Sequence, residues 1–278
     1  MRNRVCGMAS VWIAAMAARC VFGAPPAPAD SVANCVHIEV LGDWGNGPKE
    51  NVQKTLYSAA TQLLRFCPER RLGTITVRHH EGVPITLYAK GPHGEHQVLL
   101  SAGDTYWSQY AYQFAHEVTH ILSNYDRRKD GRNLWFEESL CETASLFAMR
   151  KMAVVWKTDP PYVNWVSFAP HLDQYVDAIL AKRDRRLPPD RTMPQWFQEH
   201  ADVLSTQRQL TKESQLVAAY LLALFEDEPG GWESLTWINL GPKDAELDFR
   251  GFLASWKGRV PKRNQGFIEK IQELFGLD

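Results

Sequence analysis

Two histidines four residues apart with a glutamate between them, His116-Glu117-Val118-Thr119-His120, can do chemistry if the segment is helical. At about 100° per residue, with His116 at 0°, His120 falls near 40° and Glu117 near 100°. Both imidazoles can then reach one divalent cation while the carboxylate stands beside them, an arrangement suited to activating water for hydrolysis. Phe114, Ala115, Val118, Ile121 and Leu122 occupy the opposite arc, from about 140° to about 260°, so one face packs while the other binds. Gln113, near 60°, shares the polar face. Asp104 or Thr105 is expected to cap the helix start.

A hydrolytic zinc site takes three protein ligands and leaves a fourth position for water, so the histidines need a partner. A second helical pattern, Asn133 to Met149, begins shortly downstream, and seventeen residues separate His120 from Glu138. Glu138 and Glu142 lie four residues apart on one face. That suits a metal ligand followed by a carboxylate that orients a histidine from behind. Glu137 competes for the ligand position, although it points about 100° away from that face. Cys141, in the same helix, reads as a small apolar packing residue.

His116-Glu117-Val118-Thr119-His120 together with Trp135-Phe136-Glu137-Glu138-Ser139 resembles the gluzincins, zinc peptidases whose third ligand is a glutamate on the helix after the H-E-x-x-H helix. The resemblance covers residues 97 to 149. Glu137 stands where thermolysin-like members carry asparagine, Ser139 replaces the usual glycine or alanine, and the spacer is about one or two residues short. No G-x-M-E-N stretch lies upstream, so the aminopeptidase grip on a free amino terminus is missing. The resemblance implies one zinc ion held by His116, His120 and Glu138, with Glu142 behind a ligand. Glu117 would be the general base, and the substrate a peptide or protein. In such sites a tyrosine or histidine commonly stabilises the oxyanion. Tyr220, His200, His171 and Tyr175 are the candidates, with Tyr220 preferred because it sits in the apolar helix Val217 to Phe225. Gln97 to Ser101 would be the sheet-edge strand that an extended peptide pairs with. The alternative is a zincin-fold binding protein or inactive homologue with a structural or absent metal. The presence of Glu117 argues against it.

The elements that must position these residues change character once along the chain. From Cys35 to Ala102 the pattern alternates like strands around Val36, Ile38 and Val40 and around Ile75 and Val77, with a helix from Lys49 to Phe66 between them. Pro84 to Lys90 and Gln97 to Ser101 read as a hairpin about Gly91-Pro92-His93-Gly94. His79, His80, His93 and His96 fall at strand ends and turns and suggest no second metal site. After residue 105 nearly everything reads helical, broken at Pro160-Pro161, Pro188-Pro189 and Pro229-Gly230-Gly231. Strands first and helices after predict an α+β, zincin-like fold. The expected parts are a signal peptide at 1–23, an α+β subdomain at 30–128 carrying the histidine motif, and a helical subdomain at 129–278 carrying the third ligand.

With 278 residues, 45% of them hydrophobic, ten tryptophans and a net charge of -1, the chain has ample material for a core. The basic clusters Arg127-Arg128-Lys129 and Lys182-Arg183-Asp184-Arg185-Arg186 are short, sit beside or contain acids, and lack interleaved aromatics, so no nucleic-acid partner is expected. Arg2 and Arg4 before the apolar Val5 to Ala18, with small residues and prolines from Gly23, form a secretory signal pattern. Secretion or periplasmic export is expected, with an uncleaved anchor as the rival reading and no stable membrane insertion once the signal is removed. Cleavage after Gly23 removes three arginines and no acids, moving the charge from -1 to -4. In an oxidising compartment Cys35 and Cys67 could pair.

Overall fold

A computed structural model describes residues 35–127, 131–207 and 210–278. The expected signal peptide at 1–23 and its Ala/Pro-rich junction lie outside the described residues. Strand β1 (Val36–Leu41), helix α1 (Lys49–Leu64) and strand β2 (Gly73–His79) form a unit in which α1 connects two parallel strands. Its apolar face, with Val52, Leu56, Ala59, Ala60 and Leu63, is buried, as are Val36, Ile38, Ile75 and Val77. The hairpin expected next is present as β3 (Ile85–Thr86) and β4 (His96–Leu100), an antiparallel pair. Its turn is closed by the Gly91 N–H donating to the Glu95 carbonyl at 2.8 Å.

The four strands lie in the order β1-β2-β4-β3. This corrects one expectation: Gln97 to Ser101 does not form the sheet edge. β4 pairs with β2 on one side and β3 on the other, so the short β3 holds the outer position.

Helix α2 (Trp107–Leu122) carries the histidine motif, and every residue assigned to its packing arc is buried. Its cap differs from expectation. The residue before the helix is Tyr106, and no side chain caps it. Asp104 has a φ of 49° and accepts the Asn46 N–H at 2.8 Å instead. Helix α3 (Leu134–Val155) runs longer than its sequence pattern and is buried on nearly all sides, packed against α1, α2 and two later helices. Those are α4 (Ala169–Leu180) and, beyond α5 (Met193–Thr206), α6 (Thr211–Asp227). Helices α7 (Phe249–Arg259) and α8 (Lys262–Phe275) complete the chain. The molecule is thus mixed α+β, with a small sheet and a mostly helical carboxyl-terminal part.

The proposed division at 128/129 falls on residues outside those described, and one continuous core joins both sides of it. No Cys35–Cys67 disulfide forms: the Cys67 thiol is free and lies 3.4 Å from the Trp232 carbonyl. Among the described residues no helix is long and apolar enough to cross a membrane.

Candidate metal centre

Small residues on α3 let it approach α2 closely. Ser145 donates to the Tyr112 carbonyl at 2.8 Å, and Cys141 and Ala144 are fully buried beside it. This contact brings the glutamates of α3 to the histidines of α2. His116 and His120 stand with ring centroids 5.1 Å apart. The Glu138 carboxylate reaches both, with Oε2 3.3 Å from His116 Nε2 and Oε1 3.6 Å from His120 Nε2. Two ligand atoms on a tetrahedral zinc, each about 2.0–2.1 Å from it, are about 3.3 Å apart, a spacing these contacts approach through two different carboxylate oxygens. The Glu138 side chain remains 47% exposed, leaving a solvent approach to the site.

Burial alone would raise the Glu138 carboxyl and lower both imidazoles. Their mutual attraction prevails: the His120 charge and the His116 hydrogen bond bring Glu138 down to about 2. Both histidines are held above their ordinary value, His116 mainly by its bond to Glu138 and His120 by Cys141 and Glu138.

The roles of the flanking carboxylates differ from expectation. Glu137 meets His120 at the ring nitrogen away from Glu138. Its Oε1 accepts from His120 Nδ1 at 2.9 Å, which leaves Nε2 for a metal, and its Oε2 accepts from Asn239 Nδ2 at 2.7 Å. Ser123 also donates to Glu137 at 3.2 Å. Glu142, expected behind a ligand, lies 4.0 Å from His116 Nδ1, beyond hydrogen-bond reach. Its closer partners are the buried Arg185, at 2.5 Å, and the Tyr112 hydroxyl, which donates to it.

Cys141 is nearer the chemistry than its apolar reading implied. It, His116 and His120 each offer a ligand atom within 4.8 Å of the others, a group able to hold a metal ion. Burial pushes its thiol up to about 12 despite the opposing pull of His120. Glu138, which lies 3.3 and 3.6 Å from the two rings, stands outside that group.

Glu117 is 3% exposed and held from across the fold. The Thr86 hydroxyl on β3 lies 2.8 Å from its Oε2 and 3.0 Å from its backbone carbonyl. Gln113 fastens the same helix to the end of β4, accepting from the Ser101 and Ala102 N–H groups at 3.0 Å each.

The Tyr220 hydroxyl, the preferred oxyanion candidate, accepts the Leu187 N–H at 3.1 Å, tying down the turn after Arg185. His171 is exposed against Phe168. His200 stacks on Trp196 at 4.5 Å and lines a separate cavity of about 410 Å³ that contains none of the metal-site residues. Tyr175 lies beside the Tyr112–Glu142 pair. It packs edge-on against Tyr112, and burial together with the Glu142 charge raises its hydroxyl.

Thr86, Arg185, Asn239 and Tyr112 were not singled out in the sequence. Glu137 gave a partial signal through its offset from the Glu138 face; the others reach the site only by tertiary folding. Compared with protein-family models, curated proteins and solved structures, the chain matches none.

Proposed function

We propose that this protein is a zinc-dependent hydrolase of gluzincin type and zincin-like fold that cleaves peptide bonds, exported to a secreted or periplasmic location by residues 1–23. The observation that carries the reading is the Glu138 carboxylate lying within ligand spacing of both histidine Nε2 atoms while Glu117 stands on the same helix turn. Zinc held by His116, His120 and Glu138 would polarise a carbonyl and bring the pKa of a water towards about 7. Glu117 takes the proton from the attacking water and delivers it to the leaving amine. Glu137 keeps His120 in the tautomer that presents Nε2. Tyr175 is the candidate donor to the developing oxyanion.

A peptide substrate suits the sheet edge. Among the described residues β3 has no strand on its outer side, and Val83, Ile85 and Tyr88 are exposed in and beside it. Main-chain pairing there would hold an extended segment beside Glu117.

Cys141 favours a second reading. A thiolate ligand added to the two histidines and Glu138 would close the coordination sphere and make the metal structural, as in a binding protein or inactive homologue. Dialysis of metal-loaded variants separates the two. Glu138→Ala is expected to lose zinc while Cys141→Ala and Glu117→Gln keep it. Cobalt-loaded wild type is expected to lack the near-ultraviolet thiolate band. On a broad peptide library, wild type should turn over and Glu117→Gln should not. Zinc retained by Glu138→Ala but lost by Cys141→Ala would reverse the ligand assignment, and library turnover equal in wild type and Glu117→Gln would remove the base.

A further inference from the structure

The backbone and side chain of Thr86 face different parts of the site. Leu87 N–H donates to the Gln97 carbonyl at 2.9 Å, and Ile85 pairs with Leu99, so these two residues face β4 with their peptide groups. In an antiparallel ladder the residue between them directs its own N–H and carbonyl to the other side. For Thr86, paired with Val98, that side is the outer edge of the sheet formed by the described residues. Its side chain turns inward, 6% exposed, and reaches Glu117.

We infer that Thr86 is a positioning residue that fixes the Glu117 carboxylate by its hydroxyl while presenting its peptide groups to the substrate strand. The inference rests on the reading of Glu117 as the general base. Among the described residues, no other side chain is seen to hydrogen-bond the Glu117 carboxylate. A glutamate has three side-chain torsions, so without this bond the carboxylate can swing away from the water it must deprotonate. Displacements of about 1 Å at a reacting group can cost about a hundredfold in rate. Because the hydroxyl hangs from the residue at the pairing edge, the base and a bound peptide take their positions from the same backbone unit. Valine keeps the backbone and shape of Thr86 and removes only the hydroxyl, whereas serine keeps the hydroxyl.

The test compares zinc-loaded wild type, Thr86→Val, Thr86→Ser and Glu117→Gln on a peptide selected from the library. Thr86→Val is expected to lower kcat by about ten- to a hundredfold with KM within about threefold of wild type and full zinc content. Thr86→Ser is expected to recover kcat to within about threefold of wild type. Independently of turnover, the Glu117 side-chain carboxyl carbon resonance in metal-free protein, identified by its loss in Glu117→Gln, should move in Thr86→Val and return towards wild type in Thr86→Ser. A Thr86→Val kcat within twofold of an active wild type, or an unmoved resonance, would overturn the inference while leaving the hydrolase reading intact. Zinc lost in step with kcat would also overturn it, because Thr86 would then be supporting the site as a whole. Wild type without Glu117-dependent turnover would bring down the hydrolase reading and this inference with it.

Discussion

Glu137 and Glu142 stand five residues apart on α3 and are equally buried, each with a 6% exposed side chain, yet their partners divide their tasks. Glu137 joins His120 to Asn239 and through it to the Ser123 carbonyl, which Asn239 also reaches at 3.0 Å. Asn239 can make both contacts because its amide nitrogen carries two hydrogens; its φ of 62° lies in the left-handed region, which asparagine tolerates better than most residues. Removing a carboxylate that orients a metal-binding imidazole weakens the metal by about ten- to a hundredfold. Glu137→Ala is therefore expected to lose metal affinity by that factor in a chelator competition. Glu142→Ala should act mainly on folding, because it strips the buried Arg185 of its counter-ion, a loss of about 3–5 kcal/mol. Urea unfolding of the two variants checks the contrast. A larger metal defect in Glu142→Ala than in Glu137→Ala would show that His116, not His120, is the histidine whose orientation matters most.

Among the elements, the β3–β4 hairpin joins the sheet to α2 and carries its own acid sensitivity. His96 opens β4 with Lys90 2.6 Å from its Nδ1; Lys90 is also 3.4 Å from Asp126, and the Tyr125 hydroxyl lies 3.4 Å from the same ring. Burial first, then the Lys90 and Arg70 charges, outweigh Asp126 and push His96 down to about 4. With the folded value below the unfolded one near 6.5, the unfolded chain binds more protons between these limits. The contribution is complete above about pH 6.5 and disappears as pH falls through about 4. After allowance for solvent screening of this half-buried ring it is on the order of 1–2 kcal/mol. His96→Asn should accordingly flatten the acid limb of a stability profile relative to wild type, and parallel limbs would sink the assignment. The same hairpin marks where sequence reading ended. Helical phase placed Phe114, Val118 and Ile121 inside and His116 and His120 on the other face, because each depends on its own helix's geometry. β3 has only two residues, too short for an alternation to announce an edge, and its bond to Glu117 arises only when the sheet docks on α2. Arg185 was legible only as part of a basic run; its burial depends on a turn folding back onto α3.

The molecule as a whole is built around α3, and this decides how the metal should affect its stability. Glu137 and Glu138 follow directly on Trp135 and Phe136, which pack against Phe249 at 4.8 and 4.9 Å and against Phe275 at 5.9 and 6.2 Å. Helices α7 and α8 thus back the segment that faces the histidines. Just past α2, Asn124 Nδ2 donates to the Thr236 and Ile238 carbonyls of the carboxyl-terminal part at 3.1 and 2.9 Å, closing that region onto the end of the helix. A metal bridging α2 and α3 is therefore coupled to the global transition rather than to local fraying. A ligand at a hundredfold excess over its dissociation constant stabilises the native state by about 2.7 kcal/mol when it does not bind the unfolded chain. For a chain of this size that raises Tm by about 5–10 °C. Calorimetry should show one transition with and without zinc, shifted upward by the metal in wild type and in Glu117→Gln but not in Glu138→Ala. Two transitions, only one of them zinc-dependent, would mean that the amino- and carboxyl-terminal parts fold as separate units despite their shared core. A shift retained in Glu138→Ala would place the ion elsewhere.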